Sequence, residues 1–86
     1  METKKVWCVK THIVVDCETF TDDVKLFEYL EDAEKVFNEI VEEERKDAID
    51  NEYVIEYDDK CNFEAYEDGY YAHNHICVNL FEIKIE

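Results

Sequence analysis

The chain of 86 residues contains no proline, no serine and a single glycine. Without serine there is no serine nucleophile, and one glycine cannot build the glycine-rich loop that holds phosphates. The absence of proline and the scarcity of glycine also argue against linkers and low-complexity segments. The sequence therefore lacks the signatures of serine-nucleophile enzymes and of glycine-rich phosphate-binding loops, and it predicts one domain over residues 1–86.

Basic residues are also scarce. Nine Lys and Arg face twenty-four Asp and Glu, which gives a formal net charge of −15. Direct nucleic-acid binding needs a basic footprint, and anionic membranes attract basic segments, so both partners are disfavoured. The polar start Met1–Lys5 predicts no signal peptide, and no apolar run is long enough to predict a transmembrane helix. We therefore expect a cytoplasmic protein.

Hydrophobic residues make up 47% of the chain and aromatic residues 14%. Disordered acidic chains lack that content, so the composition predicts a folded domain. Repulsion among so many like charges works against a compact state. A function other than stability is therefore expected to favour the acidic residues.

The chain has four cysteines, at positions 8, 17, 61 and 77. Because no secretion signal is predicted, reduced thiols are the expectation. Cys8 and Cys77 lie among apolar residues in predicted strands, where a thiol behaves as a small hydrophobic group. Disulfides and a metal site are the alternatives.

Alternating apolar and polar residues predict five strands. The segments are Val6–Cys17, Val24–Phe27, Tyr53–Tyr57, Phe63–Tyr66 and His75–Ile85. Residues 16–23 are mostly polar and are interpreted as a connecting turn. The apolar parity of the last strand changes at Leu80–Phe81, which indicates either a β-bulge or burial on both faces.

One apolar stripe at helical spacing predicts a helix from about residue 30 to 46. The stripe consists of Leu30, Ala33, Val36, Phe37, Ile40 and Val41. Acids in the first turn and Arg45 and Lys46 near the end suit the helix dipole, whereas Tyr29 or Glu28 makes a poor N-cap. The outward face carries Glu39, Glu42 and Glu43.

The predicted order β-β-α-β-β-β is typical of an α+β two-layer domain. We expect one helix to cover one face of an antiparallel sheet of four to five strands. The opposite face should be partly exposed and should carry some of the tyrosines.

Residues that could carry catalysis are poorly organised in the sequence. His75 and Cys77 stand two apart on a strand, and we interpret them as a surface histidine beside a buried, inert thiol. Carboxylates are so frequent that no particular pair is informative. We predict that the protein is not an enzyme and needs no cofactor, with a small enzyme as a minor alternative.

A metal site is a second alternative. His73 and His75 form an H-x-H pattern that His12 could approach from the first strand, but CxxC and HxxxH spacings are absent. Asp58-Asp59 and Glu67–Gly69 lack the alternate-residue spacing of a calcium loop. We predict no functional metal, and we retain a small-ligand or metal-binding module on the uncovered sheet face as an alternative.

Two-thirds of the net charge lies between Glu39 and Asp68, where thirteen acids face three basic residues. Aromatic residues are interleaved with these acids, and Asp68-Gly69 predicts a tight turn. Tyrosine is a preferred interface anchor, and carboxylates beside it suit a partner rich in Arg and Lys. The predicted partner-binding residues are Glu56, Asp58, Asp59, Glu64, Tyr66, Glu67, Asp68, Tyr70 and Tyr71.

A small, very acidic α+β domain without a catalytic motif resembles the phage-encoded inhibitors that imitate nucleic acid, among them anti-CRISPR proteins. Phe63–Tyr71 also resembles a segment of small acidic proteins from Firmicutes and their phages. The resemblance to inhibitors implies binding to a basic, nucleic-acid-binding surface of a bacterial defence or nucleic-acid-handling protein in the host cytoplasm. Self-association into a homodimer through the tyrosine-bearing face is a further alternative.

Overall fold

The computed structural model describes residues 4–15, 18–67 and 74–85. Within these ranges, five strands form one sheet and a single helix packs against it. The elements are β1 (Lys4–Val15), β2 (Glu18–Phe27), α1 (Leu30–Asp50), β3 (Val54–Asp58), β4 (Asn62–Tyr66) and β5 (His75–Ile85). The predicted α+β class and the order β-β-α-β-β-β are confirmed.

The strands are all antiparallel and are arranged in the order β2-β1-β5-β4-β3. The long central strands β1 and β5 pair in continuous register, from Lys4 opposite Ile85 to Val14 opposite His75. Of the two alternatives considered for Leu80–Phe81, the β-bulge is therefore wrong. Leu80 is buried beneath α1, whereas Phe81 lies on the other face and is 42% exposed, so the change of parity reflects apolar residues on both faces.

Strand β2 begins at Glu18 rather than at Val24, so most of the polar connection predicted over 16–23 is wrong. The long strand β1 supplies backbone partners for these residues, for example His12 opposite Asp22. Strand β2 lies at the edge of the sheet, where many side chains remain in contact with water and polar residues are tolerated. A polar composition was therefore not evidence against a strand here.

Helix α1 ends at Asp50 rather than at residue 46. The extra turn packs against the sheet through Ala48, which is fully buried. Arg45 and Lys46 consequently lie before the last turn, which contains no basic residue. The expected match between basic residues and the C-terminal end of the helix dipole is wrong.

The helix closes with a Schellman motif built without glycine. The Tyr53 N–H donates to the Ala48 carbonyl at 2.8 Å, and the Glu52 N–H donates to the Ile49 carbonyl at 3.1 Å. Glu52 has a φ of 60°, in the left-handed region that favours glycine. At the other end, the N-cap is Tyr29, whose own side chain makes no capping hydrogen bond, as expected from a tyrosine.

The core lies between α1 and the facing side of the sheet. Its largest fully buried side chains are Phe37 of the helix and Phe63, Val9 and Val78 of the strands. The opposite side of the sheet, called the uncovered face below, carries Tyr66 among partly buried residues. Within the described ranges, no helix combines the length and apolar character needed to cross a membrane.

Candidate acidic interface

Helix α1 presents a row of exposed carboxylates to solvent, called the helix acidic row below. Its members are Glu31, Asp32, Glu34, Glu39, Glu42, Glu43, Asp47 and Asp50. Two exposed lysines, Lys35 and Lys46, share the helix surface. Because Phe37 and Val41 anchor the apolar stripe in the core, the helix period turns most of these acids outward.

The predicted contact residue Asp58 is engaged within the molecule. Arg45 of α1 donates two hydrogen bonds to it, from Nε to Oδ2 at 3.0 Å and from Nη2 to Oδ1 at 2.7 Å. Asp58 lies opposite Phe63 in the sheet, which places it on the helix side, and the Arg45 guanidinium lies 5.8 Å from the Phe63 ring centre. The Arg45–Asp58 pair therefore joins α1 to the β3 edge and contributes no local excess charge.

Asp59 shapes the turn between β3 and β4. Its Oδ1 accepts hydrogen bonds from the backbone N–H groups of Cys61 at 2.9 Å and Asn62 at 2.8 Å. These hydrogen bonds, that of Cys61 first, hold the pKa of the Asp59 carboxyl below its usual value. The side chain acts as a turn-forming acceptor in this structure.

Glu64 and Tyr66 lie together on the uncovered face. The Tyr66 hydroxyl donates to Glu64 Oε1 at 2.7 Å and lies 3.9 Å from Cys77 Sγ. Burial first, and then the hydrogen bond to Glu64, raise the pKa of Tyr66 well above its ordinary value. The phenol therefore stays protonated and holds the Glu64 carboxylate against the sheet.

The other predicted contacts are more dispersed. The Glu67 carboxylate accepts a hydrogen bond from the Asn74 amide, and the Glu67 N–H donates to the Asn74 carbonyl at 3.0 Å. Glu56 is exposed at an irregularity in the β3–β4 register. Asp68, Tyr70 and Tyr71, together with the predicted Asp68-Gly69 turn, lie outside the described residues. The structure thus brings Glu64 and Tyr66 together but separates them from Asp58, which lies on the other side of the sheet.

Two of the three histidines that could bind a ligand or metal, His12 and His75, lie close to each other. The rings of His12 and His75 lie 5.8 Å apart on the uncovered face, and the Tyr66 ring lies 5.5 Å from that of His75. His12 Nδ1 is 3.7 Å from an oxygen of Asp22 on β2. His73 lies outside the described residues, and the described part of the chain contains no group of three or more His, Cys, Asp or Glu placed to hold a metal ion.

The three described cysteines are free thiols. Cys8 is buried, Cys77 is partly buried and Cys61 is exposed, whereas Cys17 lies outside the described residues. Burial raises the pKa of Cys8 and of Cys77, although Lys10 and Tyr66 respectively oppose the shift. Because the thiolate is the reactive form, both groups are disfavoured as nucleophiles at neutral pH.

Comparison with protein-family models, with curated proteins and with solved structures finds no match to this chain. The site is therefore defined by its own geometry. The sequence pattern placed Glu39, Glu42 and Glu43 on the outer helix face but emphasised the β3–β4 segment. Helical periodicity, applied to the whole of α1, could have predicted the full helix acidic row, which includes acids from both ends of the helix.

Proposed function

We propose that the protein is a non-enzymatic inhibitor that binds the basic, nucleic-acid-binding surface of a bacterial nucleic-acid-handling or defence protein. The helix acidic row is the observation that supports this proposal. Its eight exposed carboxylates lie along about 28 Å of helix axis and around more than half of the helix circumference. They give this surface a dense negative charge, as the phosphates do in duplex DNA.

The row also has the rigidity that imitation of a polyanion requires. Phe37, Val41 and Ala48 fix α1 to the sheet, so the backbone that carries the acids is ordered before the partner arrives. Pre-ordering lowers the entropic cost of association. Long-range attraction between this surface and a channel rich in Arg and Lys would accelerate encounter, and salt would weaken it.

The partner-binding residues predicted on β3 and β4 remain a prediction. Not all of them can be tested by substitution. Asp58 and Asp59 bind other parts of the chain, so substitutions there perturb the fold as well as any interface. Glu39 and Glu42 of the helix acidic row are exposed and suit a binding test better.

The test uses the immobilised protein, a bacterial lysate, and duplex DNA as competitor. We expect captured proteins to be nucleic-acid-binding, to be displaced by duplex DNA, and to be lost between about 0.05 and 0.5 M NaCl. The double variant Glu39→Lys/Glu42→Lys should lose capture while keeping its far-UV circular dichroism. Insensitivity of capture to both DNA and salt would contradict the proposal.

A matched control separates position from total charge. The double variant Glu18→Lys/Glu82→Lys changes the net charge equally, at exposed positions on β2 and β5. Because Glu82 lies 3.6 Å from Lys5, the far-UV circular dichroism of this control is checked as for the test variant. The control should retain most of the capture. Equal loss in both variants would show that net charge alone, and not the helix acidic row, governs binding.

A second candidate function is a small-ligand or metal site on the uncovered face. The 5.8 Å approach of the His12 and His75 rings, next to Tyr66, favours it. A thermal-shift screen with Zn²⁺, Ni²⁺ and nucleotides tests this candidate, because a ligand that binds only the folded state raises Tm. Stabilisation that disappears in His12→Gln would support it, and unchanged Tm with every compound would count against it.

A further inference from the structure

The sheet has a free edge on strand β5. Strand β4 pairs with β5 only as far as Asn79, and the Leu80 N–H then donates to the Cys61 carbonyl at 2.8 Å. On its other side, β5 continues alongside β1 to Ile85. No described strand pairs with the β4 side of residues 81–85, which is called the free β5 edge below. An unpaired strand edge is a template for pairing with another strand.

The backbone groups of Glu82 and Lys84 point to the free β5 edge. Hydrogen-bonding directions alternate along a strand, so these two residues face the same side as Leu80. Side chains alternate as well. Because Leu80 lies in the core under α1, the Glu82 and Lys84 side chains lie on the helix side of the sheet. Phe81 and Ile83 therefore lie on the uncovered face, where Phe81 is 42% exposed.

A groove of about 530 Å³ lies beside the free β5 edge, on the helix side of the sheet. Trp7 and Leu30 form apolar parts of its wall. Glu34 and Glu82 contribute two carboxylates. This combination suits a long cationic side chain, whose methylene stem packs on apolar groups while its head meets the acids. The groove therefore has room for a lysine of an added strand.

Acids do not predominate at the free β5 edge, unlike in the chain as a whole. Lys5 lies 3.6 Å from a Glu82 oxygen. Lys84 on the edge and Lys60 in the groove wall are exposed. These three lysines balance the carboxylates of Glu34 and Glu82, whereas the whole chain has a net charge of −15. A second copy of the chain therefore meets less repulsion here than at the helix acidic row.

The edge residues are complementary to themselves in one antiparallel register. When Ile83 lies opposite Ile83 of a second copy, Glu82 of each copy lies opposite Lys84 of the other. A shift of two residues is the smallest that keeps outward backbone groups face to face, and it places Glu82 opposite Glu82 or Lys84 opposite Lys84. Like charges directly opposite destabilise a strand pair, so the register centred on Ile83 is favoured.

We propose that two copies of the protein pair through their free β5 edges and form one antiparallel sheet of ten strands. Four backbone hydrogen bonds join Glu82 and Lys84 of one copy to Lys84 and Glu82 of the other, because residues in such a pair exchange both N–H groups. Each Lys84 side chain enters the groove of the other copy. On the uncovered face the two Ile83 side chains meet, and each Phe81 lies diagonal to the other copy's Ile83.

The dimer extends the acidic surface of the protein. Opposed residues of a strand pair project to the same face, so both α1 helices and both helix acidic rows lie on one side of the ten-stranded sheet. Pairing through β5 is distinct from self-association through the tyrosine-bearing face. It also does not depend on the proposed function, because it involves no other protein.

The first test measures self-association of the purified protein by sedimentation equilibrium from about 0.02 to 1 mM, in about 0.3 M NaCl to screen the repulsion. We expect a monomer–dimer equilibrium with a Kd of about 0.1 mM, as suits a contact smaller than a standard interface. Amide shifts of the ¹⁵N-labelled protein that follow the dimer fraction should be concentrated at residues 81–85. A monomer throughout, or shifts confined to another surface, would overturn the proposal.

Charge exchange tests the register. Glu82→Lys and Lys84→Glu each place like charges opposite one another twice per dimer, and each should weaken association roughly 10-fold. The double variant Glu82→Lys/Lys84→Glu has the net charge of the wild type and should restore the Kd to within about 3-fold. An equimolar mixture of the two single variants should form heterodimers, since every lysine then meets a glutamate. Absence of rescue in either arrangement, with far-UV circular dichroism unchanged, would overturn the register.

A disulfide tests the distance at the centre of the pairing. The two Ile83 residues form a non-hydrogen-bonded pair, in which Cα atoms lie about 4.5 Å apart, within the range that a disulfide spans. In a chain carrying Cys17→Ser and Cys61→Ser, Ile83→Cys should therefore form a covalent dimer with oxidised glutathione. Val24→Cys, at an exposed position of β2, is the control and should react at least 10-fold more slowly. Equal rates would overturn the pairing at Ile83.

Discussion

At the scale of single residues, backbone conformation and local hydrogen bonds decide where α1 stops and how the β3–β4 turn closes. Glu52 occupies the left-handed position of the helix C-terminus, and Asp59 accepts two backbone N–H groups. The segment Asp58-Asp59-Lys60 is a turn signal in the sequence, and the turn is confirmed. The positive φ of Glu52 was not predicted, because glutamate is a poor marker of that conformation.

Substitution of Glu52 by glycine should stabilise the protein. Glycine adopts a φ of 60° without a Cβ clash, and the change also removes one negative charge. We expect the free energy of unfolding to rise by about 0.5–1 kcal/mol in urea denaturation. Glu39→Gly is the control, since the same change inside the helix should destabilise by about 1 kcal/mol; destabilisation by both would refute the role assigned to Glu52.

Substitution of Asp59 by alanine should destabilise the protein in a pH-dependent way. Because hydrogen bonds lower the folded-state pKa of Asp59, its ionised form contributes stability above the unfolded-state pKa, and this is lost as pH falls through the folded-state value. The difference in unfolding free energy between wild type and Asp59→Ala should therefore be larger at pH 7 than below about pH 3. Asp59→Asn retains an acceptor and should lose less; a difference independent of pH would contradict this account.

At the scale of elements, hydrophobic periodicity predicted every strand and the helix but not all of their ends. β5 matches the prediction, and β4 begins one residue earlier than expected. β2 was predicted too short because pairing with β1, rather than its own apolar pattern, extends it to Glu18. The end of α1 was missed because its last turn contributes one small buried residue, Ala48, to the core.

The start of α1 offers an element-scale prediction. Tyr29 has the extended backbone typical of an N-cap, but its side chain is 68% exposed and caps nothing described. Tyr29→Ser should supply a side-chain acceptor for an N–H group of the first turn and raise the unfolding free energy by about 0.5–1 kcal/mol. Tyr29→Ala removes the ring without adding a cap, and equal stability of the two variants would contradict the explanation.

At the scale of the whole molecule, the protein is thin and elongated and exposes more surface than a compact domain of its mass. The principal extents are 47, 21 and 17 Å, and the radius of gyration is 14.0 Å, against about 12 Å for a typical domain of this length. The exposed area is 6,216 Å², against about 5,400 Å² expected from the mass. One helix on a long-stranded sheet accounts for the difference, because the described residues include no second layer on the uncovered face.

Salt should therefore stabilise this protein. Raising NaCl from about 0.02 to 0.2 M shortens the screening length to less than the width of the molecule and weakens the repulsion of fifteen excess negative charges. A gain of about 1 kcal/mol corresponds to an increase in Tm of roughly 4–8 °C for a domain of this size. The Glu39→Lys/Glu42→Lys variant has less net charge and should respond less; a Tm that falls with salt would contradict the prediction.

The sequence by itself determined the fold class, the element order and the outward position of the helix acids, because these follow from composition and from periods of 3.6 and 2. Only the tertiary structure decided which acids are free to contact a partner and which bind other parts of the chain. It paired Asp58 with Arg45 and bound Asp59 into a turn. Charge is a property of each residue, whereas its exposure and its partners depend on strand order and on the packing of α1, which bring together residues far apart in the chain.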